Sequence, residues 1–452
     1  MTTADRYYEK MTKTPIWRLI VSLGIPTTIS MLISSIYNLA DTYFVGSLGE
    51  SPQAATGILF TLQAIIQAIS FMLGQGSGSL VSKSLADKNT DEASRYVSTA
   101  FFTGAAAGTL LTVVGLVFLK PFMLLLGSTE TILPYARDYG MWVLISCPFM
   151  VCSLVMNNNL RFEGKAFYSM IGLSAGGILN IFGDWLLINK FHMGVFGAGM
   201  STAISQFISF VLLWIFYCRT AQSRIAIRCI SRRARDYLEI VRVGFPSLIR
   251  QGLTSISHGI LNNLAKPFGD AAIAAMSVVN RFSALVMCVG LGIGQGFQPV
   301  AAFNYRAGEH KRVRQGLLFT ITTGFIVVLV LSTIGFIFAA PIVRIFQESE
   351  AVIRVGVPAL RYATVGLLFM PLSIPINMLY QSTRRAGIAS FLSLLRSGAL
   401  LIPTLLITVH FWGLLGVQIS QPIADALTGL ISLPFILHNV RKKEDCQNVN
   451  KL

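Results

Sequence analysis

Asp41 and Asp184 interrupt apolar runs that begin at Leu19 and at Ala166. A carboxyl group inside such a run costs a few kcal/mol or more if the run crosses a bilayer, so an acid kept there marks a functional site. Each has polar company at helical spacing: Tyr37 and Asn38 precede Asp41, and Asn180 stands four positions before Asp184. Tyr37 with Asp41, Asn180 with Asp184 and Ala198 with Thr202 are i, i+4 pairs, which share a helix face. Two carboxylates, an amide and a hydroxyl at one depth can hold a dehydrated Na⁺ through oxygen ligands. Alternatively, mutual repulsion in a low dielectric makes one carboxyl a proton carrier. Either would couple an ion gradient to work. The competing reading is that both acids reach the outer interface or pair with an arginine.

The elements that must position these groups follow from composition. Of 452 residues, 53% are hydrophobic and 12% charged, about half the charged share of a soluble protein. Stretches 96–119, 139–160, 191–218, 315–343 and 397–424 contain no Asp, Glu, Lys or Arg. About 20 such residues cross a bilayer as a helix. The expected fold is therefore all-α and integral to the membrane. Twelve transmembrane helices are expected near 16–44, 54–82, 95–119, 133–158, 166–188, 195–217, 238–264, 271–303, 314–339, 354–381, 387–409 and 414–438. With the chain alternating in direction, Asp41, Asp184 and Thr202 fall at one level near the outer ends of the first, fifth and sixth.

The net charge of +16 could suggest nucleic acid, but its distribution does not. Lys120, Arg137, Lys190, Lys266, Arg344 and Arg354 fall on one side, and Arg250, Arg281, Arg361 and Arg396 within spans. The other basic residues share the side of the termini, which the positive-inside rule makes cytoplasmic. Anionic lipid headgroups are the expected partner of these loops, with no role for nucleic acid. Residues 1–15 are polar and mixed in charge, with no signal-peptide pattern. The cysteines, Cys446 included, have no metal-type spacing and read as small apolar residues.

The chain is written twice. At an offset of 220, Gly24-Ile25-Pro26 falls on Gly244-Phe245-Pro246, Gly74-Gln75-Gly76 on Gly294-Gln295-Gly296, Pro121 on Pro341 and Asn157 on Asn377. Six spans per half make a parallel repeat about an axis along the membrane normal. The expected domains are lobes at 1–218 and 238–452 joined by a basic cytoplasmic linker at 219–237. Pro26 and Pro246 must kink the first helix of each lobe, either as a static bend or as a hinge. The second lobe does not repeat the acids: Leu261 and Thr404 hold the positions of Asp41 and Asp184. His258, in the seventh span, reads as a hydrogen-bonded interior residue. Asp425, deep in the last span, is within reach of Arg396 and reads as half of an ion pair. Gly74-Gln75-Gly76-Ser77-Gly78 lacks the Gly-Lys-Ser/Thr that a phosphate loop requires. No cluster suited to an enzyme is evident.

Taken together, Gly24-x-Pro26, Asn38-x-x-Asp41, Gly74-Gln75-Gly76, Gly164-Lys165-Ala166, Asn180-x-x-x-Asp184 and Gly194-Val195-x-Gly197-Ala198-x-x-x-Thr202 are similar to the multidrug and toxic compound extrusion (MATE) family of cation-coupled transporters. The resemblance covers essentially the full length. It implies a V-shaped pair of lobes in the cell membrane, exporting amphipathic, often cationic organic compounds in exchange for H⁺ or Na⁺, with no other cofactor. It also implies that Asp41, Asn180, Asp184 and Thr202 hold the cation, with a backbone contribution near Ala198, and that the first helix bends at Pro26. Tyr37, Tyr139 and Asn157 are the candidate drug contacts. A branch of the family with acids in the seventh and tenth helices differs from this chain, which has His258, Asn262 and Asn263 in the seventh and no acid in the tenth. The fold requires no partner, so a monomer is expected. A flippase for lipid-linked saccharides, from the same superfamily, is the second reading, suggested by the arginines within spans. The first-lobe aspartates speak against it.

Overall fold

Backbone N–H and C=O groups have no water to bond in a hydrocarbon layer, so long apolar segments close their hydrogen bonds internally as helices. The computed structural model describes residues 3–346 and 349–441 and contains no strand among them. The tail 442–452, with Cys446, and the side chain of His258 lie outside the described residues. The helices are α1 (Thr3–Lys13), α2 (Ile16–Gly46), α3 (Glu50–Ala86), α4 (Thr90–Val117), α5 (Leu119–Leu125), α6 (Leu133–Phe162), α7 (Ala166–Asp184) and α8 (Gly194–Thr220). They continue with α9 (Ala234–Ala265), α10 (Asp270–Arg306), α11 (His310–Ile337), α12 (Ala339–Phe346), α13 (Glu350–Leu367), α14 (Met370–Ser382), α15 (Ala386–Leu394), α16 (Leu401–Trp412) and α17 (Leu414–Arg441). Short π-helical segments, Trp185–Lys190 and Leu395–Ala399, extend α7 and join α15 to α16.

Every expected span falls on a helix or on a bent pair. Ten are long and apolar enough to cross a membrane, and α13 with α14 makes an eleventh, bent by 45°. The chain is a multi-pass membrane protein of the cell membrane. The expected seventh span, 238–264, is the helix α9 but is not among the eleven. Arg242, Arg250, Gln251 and His258 dilute its apolar run. The segment before the first span, read as merely polar, is an amphipathic helix: Tyr7 and Met11 of α1 are buried while Arg6 and Lys10 face outward.

The chain divides into two compact units, one of residues 1–10 and 25–252, the other of 11–24 and 253–452. The division cuts α2 between Gly24 and Ile25, and α9 between Gly252 and Leu253. Glycine permits the close crossing in each unit. In the first, a Cβ on Gly244 of α9 would collide with the Met72 carbonyl of α3, and one on Gly76 with the Ile240 carbonyl. In the second, a Cβ on Gly296 of α10 would stand 2.5 Å from the Gly24 Cα of α2. Backbones this close need a residue without a side chain. Within the first unit, α7 and α8 also approach on small residues: a Cβ at Gly176 would meet Ser209 Cβ at 2.8 Å, and one at Gly183 would collide with the Ser201 hydroxyl.

Candidate cation site

The close contact of α7 with α8 brings Asn180 and Asp184 against Ser201 and Thr202, while α6 supplies Tyr139 and α2 supplies Asp41. All of these belong to the first unit. Asp41, Tyr139, Asn180, Asp184 and Thr202 are each at most 4% exposed. The Tyr139 hydroxyl donates to Asp41 Oδ2 at 2.8 Å and stands 3.2 Å from Thr202 Oγ1. Asn180 Nδ2 donates to Thr202 Oγ1 at 3.1 Å, and more weakly to Ser201 Oγ at 3.4 Å and Asp184 Oδ1 at 3.5 Å. The Ser201 hydroxyl donates to the Asn180 carbonyl at 3.1 Å.

Proton counting orients this chain. Tyr139 has one hydroxyl hydrogen and Asp41 takes it, so Thr202 must donate to Tyr139 while accepting from Asn180. Along Asn180, Thr202, Tyr139 and Asp41 every donor thus points away from Asn180 and toward the Asp41 carboxylate. Three oxygens are left over. Asp41 Oδ1, Asn180 Oδ1 and Asp184 Oδ2 are buried without a hydrogen-bond partner among the described residues. A buried acceptor left unpaired costs about 1–3 kcal/mol, and two are on carboxyl groups that form no ion pair among the described residues. The arrangement offers hard oxygen ligands to a cation, or a place for a proton. Among the described residues no group of three His, Cys, Asp or Glu forms a metal site. The donor set, carboxylate with amide and hydroxyl, suits a hard cation rather than a soft one. Asp184 also sits where the α-helix passes into a π-helical segment, a distortion frequent at functional sites.

The other sequence candidates are placed as follows. Ala198 is buried one turn before Thr202 on α8. Tyr37 is half-buried, one turn before Asp41, with its ring against α7: a Cβ on Gly177 would stand 3.1 Å from Tyr37 Cδ1. Tyr139 lies inside the acid cluster. Asn157 is not in that cluster. Its amide donates to the Ser169 carbonyl at 3.1 Å, and the Ser169 hydroxyl returns a bond of 3.1 Å to the Asn157 carbonyl. Pro26 is inside α2, the second residue past the point where the units divide. Ser201 was not singled out from sequence; its neighbour Gly183, the residue whose missing side chain admits it, was the available signal. In the second unit Leu261 is buried in a hydrophobic cluster. Arg396 Nε bonds Asp425 Oδ1 at 3.1 Å, both side chains buried, so one of the in-span arginines is neutralised. Arg361 Nε reaches the Phe336 carbonyl at 3.4 Å.

The MatE family model matches residues 26–186 and, again, 246–407. This chain belongs to the MatE family. The double match, with starts at 26 and 246, reproduces the internal repeat read at an offset of 220. Among curated relatives, the multidrug export protein MepA of Staphylococcus aureus strain N315 is 27% identical over 433 residues, 94% of each chain. The protein of that name from Staphylococcus saprophyticus is 24% identical over 429 residues, again 94% of each. Among solved structures, a MATE in complex with MaL6 is similar at a TM-score of 0.91 and 24% identity, over 98% of this MatE chain and 99% of that one. An outward-facing multidrug resistance MATE family transporter of the MOP superfamily gives 0.90 at 24% identity, over 96% and 98%. These two likenesses establish the fold.

Proposed function

We propose that this MatE protein is a secondary active multidrug efflux antiporter, exporting amphipathic and often cationic organic compounds in exchange for H⁺ or Na⁺. The observation that carries the coupling half of the proposal is the set of three unpartnered buried oxygens, on Asp41, Asn180 and Asp184, gathered by one oriented hydrogen-bond chain. Asp41, Asn180, Asp184 and Thr202 hold the cation in this reading, with Ala198 contributing through the backbone of α8. Tyr139 is a positioning residue: its single proton is committed to Asp41, which fixes one carboxyl oxygen and leaves the other for the ion. The export half is supported by the family and by relatives named as multidrug export proteins.

Coupling requires that the two facing states of the transporter differ in cation affinity. A cation entering the first lobe cancels the repulsion of two acids in a low dielectric. The first helix then bends near Pro26, where the missing N–H removes one rung of the helix ladder, and the organic cargo leaves. In this reading Tyr37, half-buried near Asp41, meets an organic cation with its ring face. Both termini are cytoplasmic, the lobes are 1–218 and 238–452, and the working unit is a monomer in contact with anionic lipid.

The test is ethidium efflux from vesicles energised by an imposed H⁺ gradient or an imposed Na⁺ gradient. Wild type is expected to respond to one of the two, which names the ion. Asp41→Asn and Asp184→Asn are each expected to abolish the response. Undiminished efflux in both variants overturns the coupling assignment.

A further inference from the structure

Glu163 follows α6 directly and lies 24 positions after Tyr139. At about 1.5 Å of rise per residue, it is roughly 36 Å along α6 from the acid cluster. A cavity of about 790 Å³ opens beside it, lined from α1, the first residue of α4, the α6–α7 loop, the end of α8 and the segment after α8. All of the lining residues belong to the first unit.

The lining carries Arg6, Lys10, Lys165, Arg219 and Arg224. None of these five takes part in an ion pair among the described residues. The sole acid in the lining is Glu163, and it is fully buried and engaged. Its Oε2 accepts from the backbone N–H groups of Gln222 and Ser223, and its Oε1 from the hydroxyls of Ser223 and Tyr217. Burial pushes its carboxyl above the ordinary range, against the pull of those donors. Glu163 therefore anchors a loop and leaves the five cations unneutralised.

That loop is held on its other side too. Ser94 and Ser98 of α4 accept from the backbone N–H groups of Arg224 and Ala226 at 2.9 and 3.1 Å, and Ser98 donates to the Arg224 carbonyl at 3.0 Å. Arg219 and Arg224 thus flank a fixed segment. Arg6 and Lys10 share one face of α1 at i, i+4 spacing, and Tyr7 seats that helix by donating to the Phe162 carbonyl at 3.2 Å. Five like charges converging from four segments repel one another, and a bound anion reverses that repulsion. Arginine forks and lysine point charges together are a phosphate-binding set. The volume is that of an ordinary small-ligand pocket.

We infer that the chain has a second binding site, in this cavity, for the phosphate group of an anionic ligand, either a lipid headgroup or a free phosphate compound. The site is separate from the acid cluster and does not depend on what that cluster couples to.

The test is native mass spectrometry of the purified full-length protein in neutral detergent. It is titrated with short-chain phosphatidylglycerol, with short-chain phosphatidylcholine and with inorganic pyrophosphate. Three variants accompany wild type: a cavity triple (Arg6→Gln, Lys165→Gln, Arg224→Gln), a control triple removing three exposed charges outside the cavity (Arg228→Gln, Arg232→Gln, Arg235→Gln), and Arg224→Gln alone. At about one factor of five per cation, the cavity triple is expected to weaken binding about a hundredfold. Arg224→Gln alone is expected to weaken it about fivefold, and the control less than twofold. Phosphatidylglycerol retained with this pattern identifies a lipid headgroup; pyrophosphate retained with it identifies a free phosphate ligand. The inference is overturned if neither binds wild type, if phosphatidylcholine binds as tightly as phosphatidylglycerol, or if the two triples lose equally. Should the cavity triple fail to purify as a folded protein, an unchanged affinity in Arg224→Gln overturns it as well.

Discussion

In the first unit Asp41 accepts a hydrogen bond from Tyr139; the residues 220 positions on are Leu261 and Ala359, and both are buried in one hydrophobic cluster. Elsewhere the repeats stay close. Asn157 donates to the Ser169 carbonyl, and Asn377 donates to the Ala389 carbonyl at 2.7 Å, twelve positions on in each case. The crossing of α9 over α3 at Gly244 and Gly76 has its counterpart in the crossing of α2 over α10 at Gly24 and Gly296. Contacts that set backbone against backbone survive duplication, because altering them disturbs every neighbour. Side chains that only fill or charge an interior can diverge. One copy then keeps buried acids at this place, and the other fills it with hydrocarbon and pairs Asp425 with Arg396.

The sharpest break of this comparison is chemical. Asp41→Asn or Asp184→Asn is expected to cut gradient-driven ethidium efflux to background, whereas Asp425→Asn accompanied by Arg396→Met leaves gradient-driven efflux measurable. Next comes the shared scaffold. Gly244→Ala in the first unit and Gly296→Ala in the second are each expected to destabilise by more than about 4 kcal/mol, since the clash is with backbone. Gly252→Ala on α9, with nothing within 4 Å of the added carbon, is expected to be neutral or to gain up to about 1 kcal/mol. Thermal unfolding in detergent reads all three. In the second unit, Asp425→Asn alone strands a buried guanidinium and is expected to cost about 3–5 kcal/mol, and the Arg396→Met, Asp425→Leu double variant is expected to restore most of that. The smallest expected loss concerns the asparagines. Asn157→Ala and Asn377→Ala each leave a buried carbonyl short of a donor, at about 1–3 kcal/mol, with equal losses in the two units. A loss of ethidium affinity in Asn157→Ala beyond that matched stability cost would support it as a drug contact, and an unchanged affinity would remove it.

The spans were readable because lipid leaves a helix as the one open solution for an apolar run, and the run's length sets its ends. The level shared by Asp41, Asp184 and Thr202 followed from chain direction and rise per residue. Their meeting depends on α7 and α8 closing to small-residue distance, which the glycines hinted at without naming the partner. The bond from Tyr139 to Asp41 was illegible for a related reason: an aromatic near a helix end carries no periodic signal of what its hydroxyl bonds. The helix α1 was hidden by its mixed charge, although Tyr7 and Met11 are one turn apart. The 45° break between α13 and α14 has no counterpart in the unbroken α6, and prolines did not distinguish them, since α6 also contains Pro148. The division of α2 and α9 between units was illegible, because it concerns contacts between elements far apart in sequence.

That division bears on how the molecule can be taken apart. A cut in the connecting segment near Arg228 would look like a clean separation of two homologous halves. It would strand residues 11–24 on the fragment that lacks their packing partners, and would carry residues 229–252 away from theirs. Neither fragment made alone would own a complete interior, and only the two produced together in one bilayer would supply what each is missing.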